Sequence, residues 1–256
     1  MPRRVLSLAF AWLLLCLATV DAEPIKVRLP EGNTRGFLVV RRPGGPPIAY
    51  GELRQKPSHE VIESRLLLNF KDGSLHEETV TFSQGEVFRL EAYRLVQRGP
   101  SFPGAEISFD RKSGLYSART QEKKEPERNA SGPLEMPPDL HNGLALVLLK
   151  NLPAGHGSGQ MAVFTPRPRL IKMELIAEGE DRVLVGGEAK RATRYVVKLD
   201  IGGLTGVIAS LLGKDPPDVR YWFVTGEVPA FARFEGPLYL NGPVWQIELI
   251  SVEWPR

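Results

Sequence analysis

Side chains able to do chemistry are few in this chain: four histidines and one cysteine among 256 residues. His76-Glu77-Glu78 and His59-Glu60-Val61-Ile62-Glu63 begin like the helix of a zinc protease, but neither has a second histidine four residues on. Without two imidazoles on one helical face a zinc ion lacks its ligand pair, and both stretches lie in strand-like sequence. They read as structural. Gly155-His156-Gly157-Ser158-Gly159 sets a serine among glycines, but a nucleophile elbow needs the serine midway between a strand and a helix. Here a predicted helix precedes and a strand follows, so a flexible connector is the simpler reading. Asp139, His141 and Asn142 cluster at the start of that helix. They could bind an anion with His141 as acid or base, or merely cap the helix beside a surface histidine. A secreted hydrolase using His141 or His156 is therefore one candidate function, and no catalytic residue, metal or cofactor is assigned.

The elements that would carry these residues are mostly strands. Tyr195, Val197, Leu199 and Ile201 alternate with Lys198 and Asp200, the period of a half-buried strand. From Leu204 the period lengthens: Leu204, Val207, Ile208, Leu211 and Leu212 form one stripe of a short helix that Gly213 and Pro216-Pro217 end. Strands follow at Val219 to Val224, Ala230 to Phe234 and Val244 to Val252. Upstream, Leu66, Leu68 and Phe70 share a face, and Lys71-Asp72-Gly73-Ser74 turns the chain onto a strand with Val80 and Phe82 on one side. Strands repeat about every ten residues, the pattern of an antiparallel sheet or barrel of about ten to thirteen strands. Ile25 to Leu29 is also predicted as a strand, and Gly179-Glu180-Asp181 as a turn. Residues 121–133 are polar and read as an exposed loop. A second apolar helix is predicted from about Asp139 to Asn151.

Met1 to Ala22 reads as a signal peptide, with Arg3 and Arg4, an apolar run, and a small-residue site at Ala22/Glu23. The run is too short for a comfortable span, so no stable membrane span is expected after cleavage. Cys16 lies within it, and Leu15 before it disfavours lipidation. A cysteine-free chain of about 23–256 remains, one β-rich domain in a periplasmic or secreted setting, without disulfides, thiol nucleophiles or cysteine zinc sites. A domain of that length buries roughly 70% of its surface and can hold itself together by its core. Net charge is +3 with both signs interspersed, which gives no nucleic-acid footprint.

The two helices lack a charged face, which in an exported chain points to packing beneath or against something apolar. The expected fold is mainly β, a single curved antiparallel sheet or half-barrel with both helices against the concave face. An apolar small molecule or lipid is the expected partner, lined by Leu144, Leu148, Val207, Leu211, Trp222 and Trp245. A cell-envelope interaction module using a sheet edge is the third candidate.

Certain stretches carry a resemblance: Thr193-Arg194-Tyr195, Tyr221-Trp222-Phe223, Phe231-Ala232-Arg233-Phe234-Glu235, Trp245-Gln246-Ile247-Glu248-Leu249, Gln97 to Pro103 and Pro137 to Leu144. They resemble an uncharacterised group of secreted bacterial β-proteins. The sheet-plus-helix layout also resembles the half-barrel of periplasmic lipoprotein carriers, which implies an acyl chain held under helical lids and no catalytic residues.

Overall fold

The structure, a computed structural model, describes residues 24–121, 125–152, 157–167, 169–199, 218–226 and 228–253. The first half is a run of strands: β1 (Thr34–Arg41), β2 (Pro47–Ser58), β3 (Val61–Phe70), β4 (Leu75–Gln84), β5 (Phe88–Arg98), β6 (Gly104–Asp110), β7 (Leu115–Gln121) and β8 (Arg128–Pro133). Helix α1 (Ala145–Asn151) follows. The second half is β9 (Ser158–Phe164), β10 (Leu170–Val185), β11 (Glu188–Leu199), β12 (Val219–Val224), β13 (Ala230–Gly236) and β14 (Trp245–Glu253). All fourteen strands form one antiparallel sheet that does not close, in the order β8-β7-β6-β5-β4-β3-β2-β1-β14-β13-β12-β11-β10-β9.

The turns follow from backbone freedom. At the β3–β4 turn Gly73 takes φ +84° and the Asp72 carboxylate accepts the Ser74 amide at 2.9 Å. Gly186 and Gly187, both at positive φ, close β10 onto β11 in a two-residue hairpin. The turn expected at Gly179-Glu180-Asp181 is instead inside β10. Gly179 adopts φ +139° where the register to β11 shifts, so it makes a bulge and the strand continues.

The sheet is strongly curled. Val80, Phe82 and Leu90 of β4 and β5 share one buried cluster with Leu175, Tyr195 and Phe223 of β10 to β12. Those groups lie many strands apart in the sheet order, and strands sit about 4.8 Å apart, so a flat sheet could not bring them together. Val147, Leu148 and Leu149 of α1 belong to the same cluster and meet side chains from both halves.

Only one short helix is present among the described residues, and it is shorter than expected. Residues before Ala145 do not join it, because Gly143 at φ +68° breaks the helical path and the segment bonds elsewhere. The amides and carbonyls around Asp139 and His141 pair with Ala162 of β9, at 2.7 and 2.9 Å. Asn142 clasps the Phe164 backbone, accepting its N–H at 2.7 Å and donating to its carbonyl at 2.8 Å. The segment therefore covers the free edge of β9, which would otherwise offer unpaired backbone groups. The helix predicted from Leu204, with Val207 and Leu211, lies outside the described residues, as do the leader and His156.

Two further expectations need correcting. Residues 128–133 are exposed as predicted but form edge strand β8, paired only to β7, where polar side chains on both faces cost nothing. Ile25 to Leu29 contributes only the bridge of Lys26 to Val87. The buried amide of Asn151 holds this segment instead, its Oδ1 accepting the Arg28 and Leu29 N–H groups at 2.8 and 2.7 Å. No helix among the described residues is long and apolar enough to cross a membrane.

Candidate functional site

A cavity of ≈ 270 Å³ lies beneath α1, walled by apolar side chains from both halves of the sheet. Leu66 and Leu95 come from β3 and β5, Val147 from α1, Met173 and Val197 from β10 and β11, and Phe231 from β13. An apolar cavity of about 150 Å³ already admits a benzene-sized molecule and stays dry without one.

Polar groups also enter this wall: Gln55 from β2, Ser64 from β3, and two from β4. On β4 the alternation that turns Val80 and Phe82 inward also turns Glu78 and His76 inward, and both line the cavity. The Tyr93 hydroxyl, from β5, donates to Glu78 Oε1 at 2.7 Å. Burial pushes the Glu78 carboxyl above its usual range, and the Tyr93 bond opposes this in part. Burial, and then the Glu78 charge, push the Tyr93 and Tyr221 phenols well above theirs. His76 is 4% exposed, and desolvation lowers its pKa to about 4, so its ring is neutral. Its Nδ1 lies 3.0 Å from Gln97 Nε2, while its Nε2 has no partner among the described residues.

Neighbouring strands and turns hold these groups in place. Gln97 Nε2 also donates to the Leu238 carbonyl at 2.8 Å. Gly99, at φ +97°, lies so close to Ser74 that a Cβ would approach its Cα to 2.6 Å, and the Ser101 amide bonds Ser74 Oγ at 2.8 Å. The Gln97 to Pro103 landmark thus packs the β5–β6 turn onto the β3–β4 turn beside His76. Gly143 does the same for Glu78: a Cβ there would stand 3.1 Å from Glu78 Cδ and 2.4 Å from Val80 Cγ2.

The residues expected from sequence to line a ligand fall in different places. Leu144 and Leu148 are fully buried in the core under α1, and their helix neighbours Leu146 and Val147 line the cavity. Trp245 packs with Phe70, Phe102 and Tyr239 in a second cluster. Trp222 is on the opposite face of β12 from Tyr221 and Phe223. There its indole N–H donates to Asp181 at 3.1 Å and the Arg233 guanidinium stacks on its ring at 4.7 Å. Arg194 pairs with Glu178 and Asp181 on that same outer face.

His141 is buried rather than at the surface, its Nδ1 has no partner among the described residues, and burial lowers its pKa to about 4. Among the described residues no group of three or more His, Cys, Asp or Glu side chains could hold a metal ion.

The sequence reading sets His76 and Glu78 aside as structural and does not single out Tyr93. The alternation seen at Val80 and Phe82, extended back by four residues, would have turned two ionisable groups inward.

No family model matches the chain, and no curated protein matches it. Among solved structures it is similar to a β-barrel-like protein of domain of unknown function DUF1849 from Brucella abortus, at 9% identity and a TM-score of 0.47, over 88% of this chain and 98% of that one. The description of that protein names no ligand.

Proposed function

We propose that the chain is an exported binding protein that holds an apolar or acyl ligand in the cavity of its curled sheet, with helical segments over the concave face. The observation that carries this reading is the ≈ 270 Å³ cavity under α1, walled by aliphatic, methionine and aromatic side chains. Protein interiors are normally filled to crystal-like density, so an apolar hollow of this size between the two halves of the sheet is a place for a ligand. Each methylene moved there from water contributes about 0.8 kcal/mol. Two methionines in the wall, Met161 and Met173, are flexible enough to adjust to chains of different shape. The leader-like Met1 to Ala22 supports a periplasmic or secreted location.

The test is extraction of the purified protein with organic solvent, mass spectrometry of the extract, and titration of the stripped protein with an acyl fluorophore. Co-purifying lipid, or saturable fluorophore binding that Val147→Trp abolishes, is expected. A clean extract together with no saturable binding refutes the reading.

A further inference from the structure

We propose that Glu78 anchors the head of the ligand and that this head is cationic: a single-chain amine, with its ammonium against the Glu78 carboxylate and its tail in the hollow, in preference to a fatty acid. The inference rests on the cavity reading above and adds the head group to it.

The wall offers one charge. Among the described residues that line the cavity Glu78 is the sole acid, and none is a lysine or arginine. His76 is neutral and takes no part, since Gln97 engages its Nδ1 and its Nε2 is shut off from the hollow. Buried carboxylates are almost always paired, yet Glu78 makes no ion pair among the described residues. Its two oxygens differ in their surroundings. Oε1 accepts from the Tyr93 hydroxyl at 2.7 Å and faces Gly143, where a Cβ would stand 3.3 Å away. Oε2 has no hydrogen bond among the described residues and, unlike His76 Nε2, is not fully enclosed. That oxygen is free to meet a ligand.

Aromatic rings share the hollow with it. Tyr221 of β12 and Phe231 and Phe234 of β13 line the same cavity, and Tyr221 is near enough for the Glu78 charge to act on its phenol. Ring faces attract cations and add to what a carboxylate offers them. An ammonium brings what the wall lacks, a positive charge with N–H donors. Half of the ion pair is already out of water, so the carboxylate's desolvation is met in folding and the ligand adds only its own. A fatty acid instead sets two carboxylates together in an apolar wall, where like charges are poorly screened and one must take up a proton. An alcohol gains a hydrogen bond without the charge.

The experiment displaces a pre-bound neutral fluorophore, N-phenyl-1-naphthylamine, from the stripped full chain at pH 7.5 with octylamine, octanoate or 1-octanol. Octylamine is cationic at that pH and octanoate anionic, so the two differ chiefly in the sign of the head. Octylamine is expected to displace at about tenfold lower concentration than octanoate. Glu78→Gln keeps an acceptor for Tyr93 and removes the charge. It should raise the octylamine requirement about tenfold, the loss of a hydrogen bond to a charged group, and leave octanol within about threefold of its parent value. Octanoate matching octylamine in the parent, octylamine unmoved by the substitution, or octanol moved as far as octylamine each overturns the cationic head and leaves the cavity reading standing. Failure of the fluorophore and all three competitors to bind overturns both. Should Glu78→Gln not fold, Glu78→Leu carries the same comparison.

Discussion

Tyr93 and Glu78 meet diagonally across the β4–β5 pair, the phenol donating to the carboxyl at 2.7 Å where both are surrounded by protein. Tyr93→Phe removes the donor and leaves a buried carboxyl short of a partner. A loss of about 1–3 kcal/mol in urea unfolding is expected. Adding Glu78→Leu to that variant should recover part of the loss, and simple additivity in the double-mutant cycle would show the bond to be inert.

The Glu78 carboxyl also sets a pH dependence. Its folded value is raised above the ordinary 4.5, so the folded state holds this proton to higher pH than the unfolded chain does. Its penalty is absent below about pH 4.5 and grows as pH rises toward the folded value. The stability of Glu78→Gln relative to the parent should therefore climb with pH across that window in thermal melts. A constant difference from pH 4 to 8 would refute the shift.

His76 and His141 act in the opposite direction. Both are buried neutral, with values lowered from 6.5 to about 4. Their contribution is complete above pH 6.5 and is lost as pH falls toward 4, because the unfolded chain takes up the protons first. Each shift corresponds to about 3 kcal/mol. Urea midpoints should fall steeply between pH 6.5 and 4, and replacing both histidines by leucine should flatten that limb.

Gly143 tolerates no side chain. Its φ of +68° disfavours any L-residue, and a Cβ would meet Val80 at 2.4 Å. Gly143→Ala is expected to cost about 1–3 kcal/mol and to weaken fluorophore binding by shifting Glu78. Unchanged melting and binding would show that the loop yields freely.

Asn151 ties the amino-terminal segment to α1. It accepts from Arg28 and Leu29 and donates to Val147, while Lys150 pairs with the buried Glu31 at 2.5 Å. Asn151→Ala should expose the Arg28 and Leu29 amides to rapid hydrogen exchange and cost about 1–3 kcal/mol. Protection equal to the parent at those amides would disprove the tie.

Strand parity made much of the sheet readable. Tyr221 and Phe223 face the main core and Trp222 faces away, as their alternation indicates. The site was less legible for a specific reason. On β5 the inward set runs Phe88 and Leu90, then switches to Tyr93, Leu95 and Gln97, because the register to β4 shifts between Thr81 and Phe82. One extra residue reverses the parity, so strict alternation places Ala92 inside and Tyr93 outside. Trp245 and Trp222 show the converse: large apolar area alone does not tell a core position or an outer stack from a cavity wall. The Asp139 to Leu144 stretch has helical composition, but one glycine and two contacts with β9 decide its path, and those partners are distant in sequence.

Strands β1 and β14 lie side by side at the middle of the sheet, and theirs is the one joint between strands not consecutive in the chain. It bridges roughly two hundred residues, while every other pair joins strands consecutive in the chain. The sheet is thus two meanders welded along a single seam, and the core they share beneath α1 joins them a second time. Fragments divided between α1 and β9 should reunite by that weld when co-expressed. A circular permutant fused across it should reach the native state faster than the parent, since its slowest closure becomes a local hairpin.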